Sequence, residues 1–248
     1  MNKLDKLLKL YAEGKKISCV TAYDASISKY LDSCDIDIIL VGDSLGQVIQ
    51  GSKSTHDVSI KDILYHAKCV KSGQKNSILM VDLPKGSYVE KSGAYSNASK
   101  FLSTKLADII KVEIDNNNLE IAEYLVSKKI PVCAHIGLLP QSIKSKSGYR
   151  KYGKTKNEAN RLYNLAVKLE NAGVKIILIE CLDNHLARKI SDNSKIPVIG
   201  IGSGTGIDGQ VAVIYDLLGI SFNKIDSFTT NGRNILDNQI TNFKKRLK

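Results

Sequence analysis

The sequence has no tryptophan, four phenylalanines and, among 36 basic residues, only five arginines. Proteins that read nucleic acids lean on arginine, whose planar fork makes paired hydrogen bonds to phosphates and bases, and on aromatic rings that stack on bases. The net charge of +11 is therefore lysine excess without those partners, and no nucleic-acid partner is expected. No apolar run approaches the ~18 residues of a membrane span, so no membrane partner is expected either. A Pro- or Ser-rich linker is also lacking, and no break in composition divides the 248 residues. The expectation is one domain, 1–248.

The five cysteines are odd in number, and no pair has metal-finger spacing. Cys19, Cys133 and Cys181 lie in apolar strand-like runs and read as reduced core thiols. At the N-terminus, Leu4, Leu7, Leu8 and Tyr11 share one helical face and Gly14 follows as a stop. Arginine is missing there while Asp5 and Glu13 are present, which fits neither a signal nor a transit peptide. The reading is a short amphipathic helix on a cytoplasmic protein.

What is abundant is short branched apolar runs. They occupy 16–23, 36–44, 77–84, 108–114, 130–138, 174–181, 196–203 and 210–219. They are continuous rather than alternating, as in parallel strands covered on both faces. Helical segments fall between most of them. "SIKDILYHAKCVKSG" opens with Ser59 and Asp62 in capping-box spacing and is expected to stop at Gly73. "SNASKFLSTKLA", "NNLEIAEYLVSKK", "TKNEANRLYNLAVKLENAG" and "NHLARKISDNS" follow, the third ending at Gly173. Eight strands alternating with helices predict a single (β/α)8 TIM barrel with a short N-terminal helix. An open doubly wound sheet is the rival.

Active residues of such barrels gather at the C-terminal strand ends. Here those ends carry Asp24, Asp43 with Ser44, Asp82, Lys111 with Glu113, His135 and Glu180. A single aspartate at such a place reads equally well as a helix cap. Three carboxylates on neighbouring strand ends would repel unless a cation sat among them, and oxygen-only ligands favour Mg2+. Lys111 and Glu113 would share one face of their strand. The structural alternative is an Asp–Lys–Glu ion network closing the mouth. Glu180 follows four apolar residues, so desolvation would raise its pKa into the range of a general base; the alternative is a satisfied salt bridge. His135 reads as a supporting residue that orients substrate or is hydrogen-bonded at the mouth.

Two further stretches stand out. "GTGIDG" (204–209) matches the dinucleotide fingerprint literally, yet a strand follows it, so it reads as a tight loop lining the pocket. "KSKSGYRKYGKTK" (144–156) reads as a solvated lid or as an attractor for an anionic cosubstrate tail.

With these residues in hand, the chain resembles the ketopantoate hydroxymethyltransferase family. "TAYD", "VGDSLG", "DLP", "IKVE", "HIGLLPQ", "ECL" and "PVIGIGSGTGIDGQ" fall in the family's order and spacing across nearly the whole chain. The resemblance implies a Mg2+-binding (β/α)8 barrel that moves a hydroxymethyl group from 5,10-methylenetetrahydrofolate to 3-methyl-2-oxobutanoate. The product is 2-dehydropantoate, toward pantothenate and coenzyme A. It implies Asp43, Asp82 and Glu113 as metal carboxylates, and Asp43, Ser44, Asp82 and Lys111 as oxo-acid contacts. Glu180 is the implied base, and a homo-oligomer, commonly a decamer, the implied assembly. The chain departs from the family's pattern at Lys85, Ile114 and Asp115, where loop packing and cosubstrate contacts are expected to differ. A related Mg2+-dependent oxo-acid lyase of the phosphoenolpyruvate mutase and isocitrate lyase group is a second reading, but that group's Lys-x-Cys-Gly-His motif is missing.

Overall fold

The computed structural model describes residues 2–143, 149–223 and 232–245. Eight parallel strands close into a barrel in chain order. They are β1 (Ile17–Thr21), β2 (Ile38–Val41), β3 (Ile78–Asp82), β4 (Ile109–Glu113), β5 (Val132–Gly137), β6 (Ile176–Glu180), β7 (Val198–Ile201) and β8 (Gly209–Ala212). The closing pair is β1 with β8, in register at Cys19 and Val211. The expected (β/α)8 barrel is therefore present, and the open sheet is excluded.

Strand alternation divides the apolar residues into two cores. Leu40, Met80, Ile109, Cys133 and Leu178 fill the barrel interior. Their neighbours Ile39, Leu79, Ile110, Val132 and Ile177 point outward into a second cluster. Seven helices supply the other side of that cluster: α2 (Ala25–Ser33), α3 (Leu45–Val48), α4 (Ile60–Gly73), α5 (Lys91–Ser103), α6 (Leu119–Ser127), α7 (Lys156–Ala172) and α8 (Asn184–Asn193). Each fully buried branched side chain contributes ~1.5–3 kcal/mol, so both faces favour the barrel. The N-terminal helix α1 (Lys3–Ala12) closes the lower end. Leu7 joins the interior cluster there, with Leu4 and Tyr11 packed against it. Lys3 donates to the Ser77 carbonyl and Tyr11 to that of Ser194.

Several elements differ from the sequence reading. The run 210–219 is one strand only to Ala212; α9 (Ile214–Leu217) follows. The ladder stops because the Ile214 N–H donates to Thr21 Oγ1 at 3.1 Å instead. Residues 202–208 connect β7 to β8 with no helix and run back along the barrel wall, tied by Val198 N–H to Asp208 Oδ2. Helix α5 starts at Lys91, five residues before the expected Ser96, because Ala94 extends the buried Ala98 and Phe101 face upstream. Helix α4 ends at Gly73 as expected, but without the left-handed φ that Gly14 and Gly173 take. The role of Gly73 is close packing: a Cβ there would lie 2.2 Å from the Ala25 carbonyl oxygen. The last helix, α10 (Arg233–Lys245), lies beyond the barrel strands in sequence.

Candidate active site

The upper end of the barrel holds a cavity of about 280 Å3, lined by Asp43, Ser44, Asp82, Lys111, His135 and Glu180 among others. It lies near the lower end of the ~300–1,000 Å3 typical of small-molecule sites. Six of the sequence-expected residues thus share one space. Glu113 is buried directly behind it, and Asp24 is elsewhere. Asp24 accepts from Ser26 and Ile27 N–H and caps α2, the structural reading given above for a lone strand-end aspartate.

Strand register explains the grouping. Asp82 and Lys111 are direct cross-strand neighbours on β3 and β4, and their side chains form an ion pair of 2.6 Å, almost wholly buried. Glu113 points inward two residues on, beside His135 of β5. Val112 between them faces the outer cluster. Asp43 lies in the turn after β2, and its N–H reaches Asp82 Oδ2 at 3.4 Å. Ser44 precedes α3 where a capping side chain would sit, but it makes no cap; its Oγ bonds Tyr23 Oη at 2.8 Å.

The site holds more negative charge than Lys111 offsets. Burial raises Asp82 to about 7 against the pull of Lys111, with Asp43 adding to the rise. Glu113 is pushed well above the ordinary carboxylate range, first by burial and then by Asp43. Burial alone would lower Lys111, but Asp82, Asp43 and Glu113 together raise it, so its ammonium persists. Asp43 Oδ2 and Asp82 Oδ1 are buried without a hydrogen-bond partner. Two such oxygens beside each other are costly unless a cation meets them. Among the described residues no group of three His, Cys, Asp or Glu side chains has the geometry to hold a metal by itself. Of the expected metal carboxylates, Asp43 and Asp82 line the cavity and Glu113 lies behind it. Glu113 accepts from the Gln141 N–H through both oxygens, at 3.2 and 3.3 Å. The orphaned oxygens of Asp43 and Asp82 do fit a hard cation such as Mg2+, which takes one or two carboxylates and keeps water for the rest.

Glu180 stands across the cavity. Burial raises it from 4.5 to about 8. Its nearest ionisable partner is His135, with Nε2 at 3.2 Å but outside hydrogen-bond geometry. Burial holds His135 well below its ordinary value, so the ring is neutral. Among the described residues no lysine or arginine pairs with Glu180, and the salt-bridge reading lacks a partner.

Three contributors escaped the sequence reading. Gln141 ties the site together: it accepts from Tyr88 Oη at 2.6 Å and donates to the Leu83 carbonyl at 3.0 Å while its N–H holds Glu113. Tyr23 supports Ser44. Thr55 Oγ1 is buried without a partner beside the cavity. Tyr23 and Gln141 lie inside quoted motifs and Thr55 does not, and nothing in composition marks a neutral polar residue as part of a site.

The remaining expectations divide. Within 200–210, Ile201 N-terminal to the loop lines the cavity while the loop itself does not, so the pocket-lining reading of "GTGIDG" is corrected: the segment must run back to start β8. Of the basic stretch, Lys144–Gly148 lies outside the described residues. Arg150 pairs with Glu158 at 2.6 Å, and Lys151 donates to the Gly202 carbonyl at 2.6 Å, so these two are spent on the protein itself. Tyr149 lines the cavity. Lys85 is exposed, whereas Ile114 is buried in the outer cluster. Asp115 accepts from the Asn117 N–H in a tight turn. No helix among the described residues is long and apolar enough to cross a membrane.

The model of the family described as ketopantoate hydroxymethyltransferase matches residues 2–248. The 3-methyl-2-oxobutanoate hydroxymethyltransferase of Buchnera aphidicola (subsp. Acyrthosiphon pisum, strain 5A) is 46% identical over 217 residues, covering 88% of this chain and 82% of that protein. The enzyme of that name from Vibrio cholerae is 40% identical over 228 residues, covering 92% and 86%. Among solved structures, a phosphonopyruvate hydrolase complexed with oxalate and Mg2+ superposes with a TM-score of 0.65 at 10% identity, covering 100% of this chain and 98% of that one. A 2,3-dimethylmalate lyase gives 0.61 at 12%, covering 85% and 78%. Those two likenesses concern the barrel alone. The family match over residues 2–248 and the two hydroxymethyltransferase relatives establish that the chain belongs to the ketopantoate hydroxymethyltransferase family.

Proposed function

We propose that the enzyme transfers a hydroxymethyl group from 5,10-methylenetetrahydrofolate to 3-methyl-2-oxobutanoate, giving 2-dehydropantoate for pantothenate and coenzyme A. The observation that carries this reading is the pairing of two orphaned carboxylate oxygens, Asp43 Oδ2 and Asp82 Oδ1, with a glutamate held near pKa 8 across one small cavity. An oxo acid needs both: charge stabilisation at its keto oxygen and a base at C3.

Asp43 and Asp82 would hold Mg2+, with Glu113 as the third carboxylate of the reading. The ion would supply Lewis acidity, lowering the cost of negative charge on the keto oxygen. Lys111 and Ser44 bind the substrate carboxylate, Lys111 keeping one of its three donors on Asp82. Glu180, raised by burial, takes the C3 proton. The electron pair left on C3 attacks the methylene carbon as its bond to one folate nitrogen breaks and that nitrogen takes a proton; water then displaces the second nitrogen, giving the hydroxymethyl group and tetrahydrofolate. His135, neutral beside Glu180, orients that carboxylate. Gln141 fixes Glu113 from the loop after β5. The reading extends to a homo-oligomer, a decamer by family resemblance, working in the cytoplasm.

Purified enzyme given both substrates and Mg2+ should form 2-dehydropantoate, and a chelator should stop it. Absence of product under those conditions would defeat the proposal.

A further inference from the structure

Ser44 has one hydrogen and two lone pairs, and an anionic ligand can use only the hydrogen. Something must therefore decide which way that hydrogen points. Tyr23 is buried, with its ring against His66 and Tyr215 and its Oη 2.8 Å from Ser44 Oγ. Burial pushes the phenol well above its ordinary value, so it keeps its proton. A buried donor needs an acceptor, and Ser44 Oγ is the one at hand. On the other side, Thr21 Oγ1 already accepts the Ile214 N–H at 3.1 Å. Thr21 is the other hydroxyl against Tyr23, and a hydrogen given by it to the phenol oxygen leaves the phenol's own hydrogen for Ser44.

The directions form a chain. The set of directions that turns Ser44 outward runs from the Ile214 amide to Thr21, from Thr21 to Tyr23 and from Tyr23 to Ser44. Each acceptor is polarised by the donor behind it, which strengthens the next bond. In that set the Ser44 hydrogen is the one free to point into the cavity, which Ser44 lines. Gly42 leaves room for this arrangement: a Cβ there would approach Ser44 Oγ to 3.2 Å. We infer that Tyr23 is a positioning residue, donating to Ser44 Oγ so that Ser44 meets the carboxylate of the oxo acid as a donor. The site thereby favours ligands with an anionic oxygen at that point over neutral analogues bearing a hydroxyl or amide donor. This rests on the substrate reading proposed above.

The test is calorimetric binding of 3-methyl-2-oxobutanoate at saturating Mg2+, for wild type, Tyr23→Phe, Ser44→Ala and the double variant. Tyr23→Phe should weaken binding about 5-fold and Ser44→Ala about 10-fold or more, as for a lost hydrogen bond to a charged group. The double variant should bind within about twofold of Ser44→Ala, because Tyr23 acts only through Ser44. Unchanged affinity in Tyr23→Phe, or losses that multiply in the double variant, would overturn the inference. Thr21→Val weakening binding, with Thr21→Ser restoring it, probes the same chain from its other end and serves if Tyr23→Phe is poorly folded; equal affinities in that pair would overturn it too. Wild type that fails to bind the oxo acid would instead overturn the substrate reading, and the carboxylate partner with it.

Discussion

Glu180→Gln should make the metal-free protein more stable at alkaline pH while removing its base. The carboxyl sits at about 8 in the folded protein against an ordinary 4.5, because burial disfavours its charged form. A raised acid binds more protons folded than unfolded, so folding stability falls as pH rises from about 4.5 and levels off above about 8. Glutamine has the same shape and never ionises, so it escapes that loss. The interval between the two values sets a ceiling near 5 kcal/mol at ~1.4 kcal/mol per pH unit. The side chain is 21% exposed to the cavity, and water there reduces the effect to about 1–3 kcal/mol. Urea unfolding of wild type and variant, without metal, from pH 5 to pH 9 reads it directly. The two should coincide near pH 5 and separate steadily toward pH 8, the variant being the more stable. A variant less stable than wild type at pH 8 would refute the reasoning, since it would mean the carboxylate is held by a cation.

Two other perturbations probe the framework. Gly73→Ala puts a Cβ 2.2 Å from the Ala25 carbonyl oxygen, against backbone that cannot swing away; it should cost about 2–4 kcal/mol by separating α2 from α4, read as a lowered thermal midpoint. Gln141→Ala frees Tyr88 Oη and the Leu83 carbonyl and so loosens the loop after β5 whose N–H at position 141 holds Glu113. It should cost about 1–3 kcal/mol of stability and weaken Mg2+ binding, followed by titration calorimetry.

The barrel was legible because parallel strands covered on both faces leave continuous branched runs, and all eight runs hold strands. Legibility failed where one apolar run changed geometry midway. Val211 and Ile214 look alike in sequence, but a hydroxyl on the neighbouring strand takes the Ile214 amide and ends the ladder. The helix end at Gly73 is legible, but the contact with α2 that requires glycine there exists only in three dimensions. The ionisable part of the site was readable because charge at the tip of an apolar strand demands a partner. Tyr23, Thr55 and Gln141 carry no charge and make no such demand, so only the folded arrangement reveals them. The same arrangement shows the Gln141 amide against Glu113, a contact that no spacing in the sequence announces.

The most direct test of the account is exchange of the C3 proton of 3-methyl-2-oxobutanoate in deuterated water, followed by nuclear magnetic resonance without folate. Wild type with Mg2+ should wash deuterium into C3, a chelator should suppress this, and Glu180→Gln should bind the oxo acid yet exchange at least ~100-fold more slowly. Exchange at the wild-type rate in Glu180→Gln would contradict the assignment of the base and the chemistry built upon it.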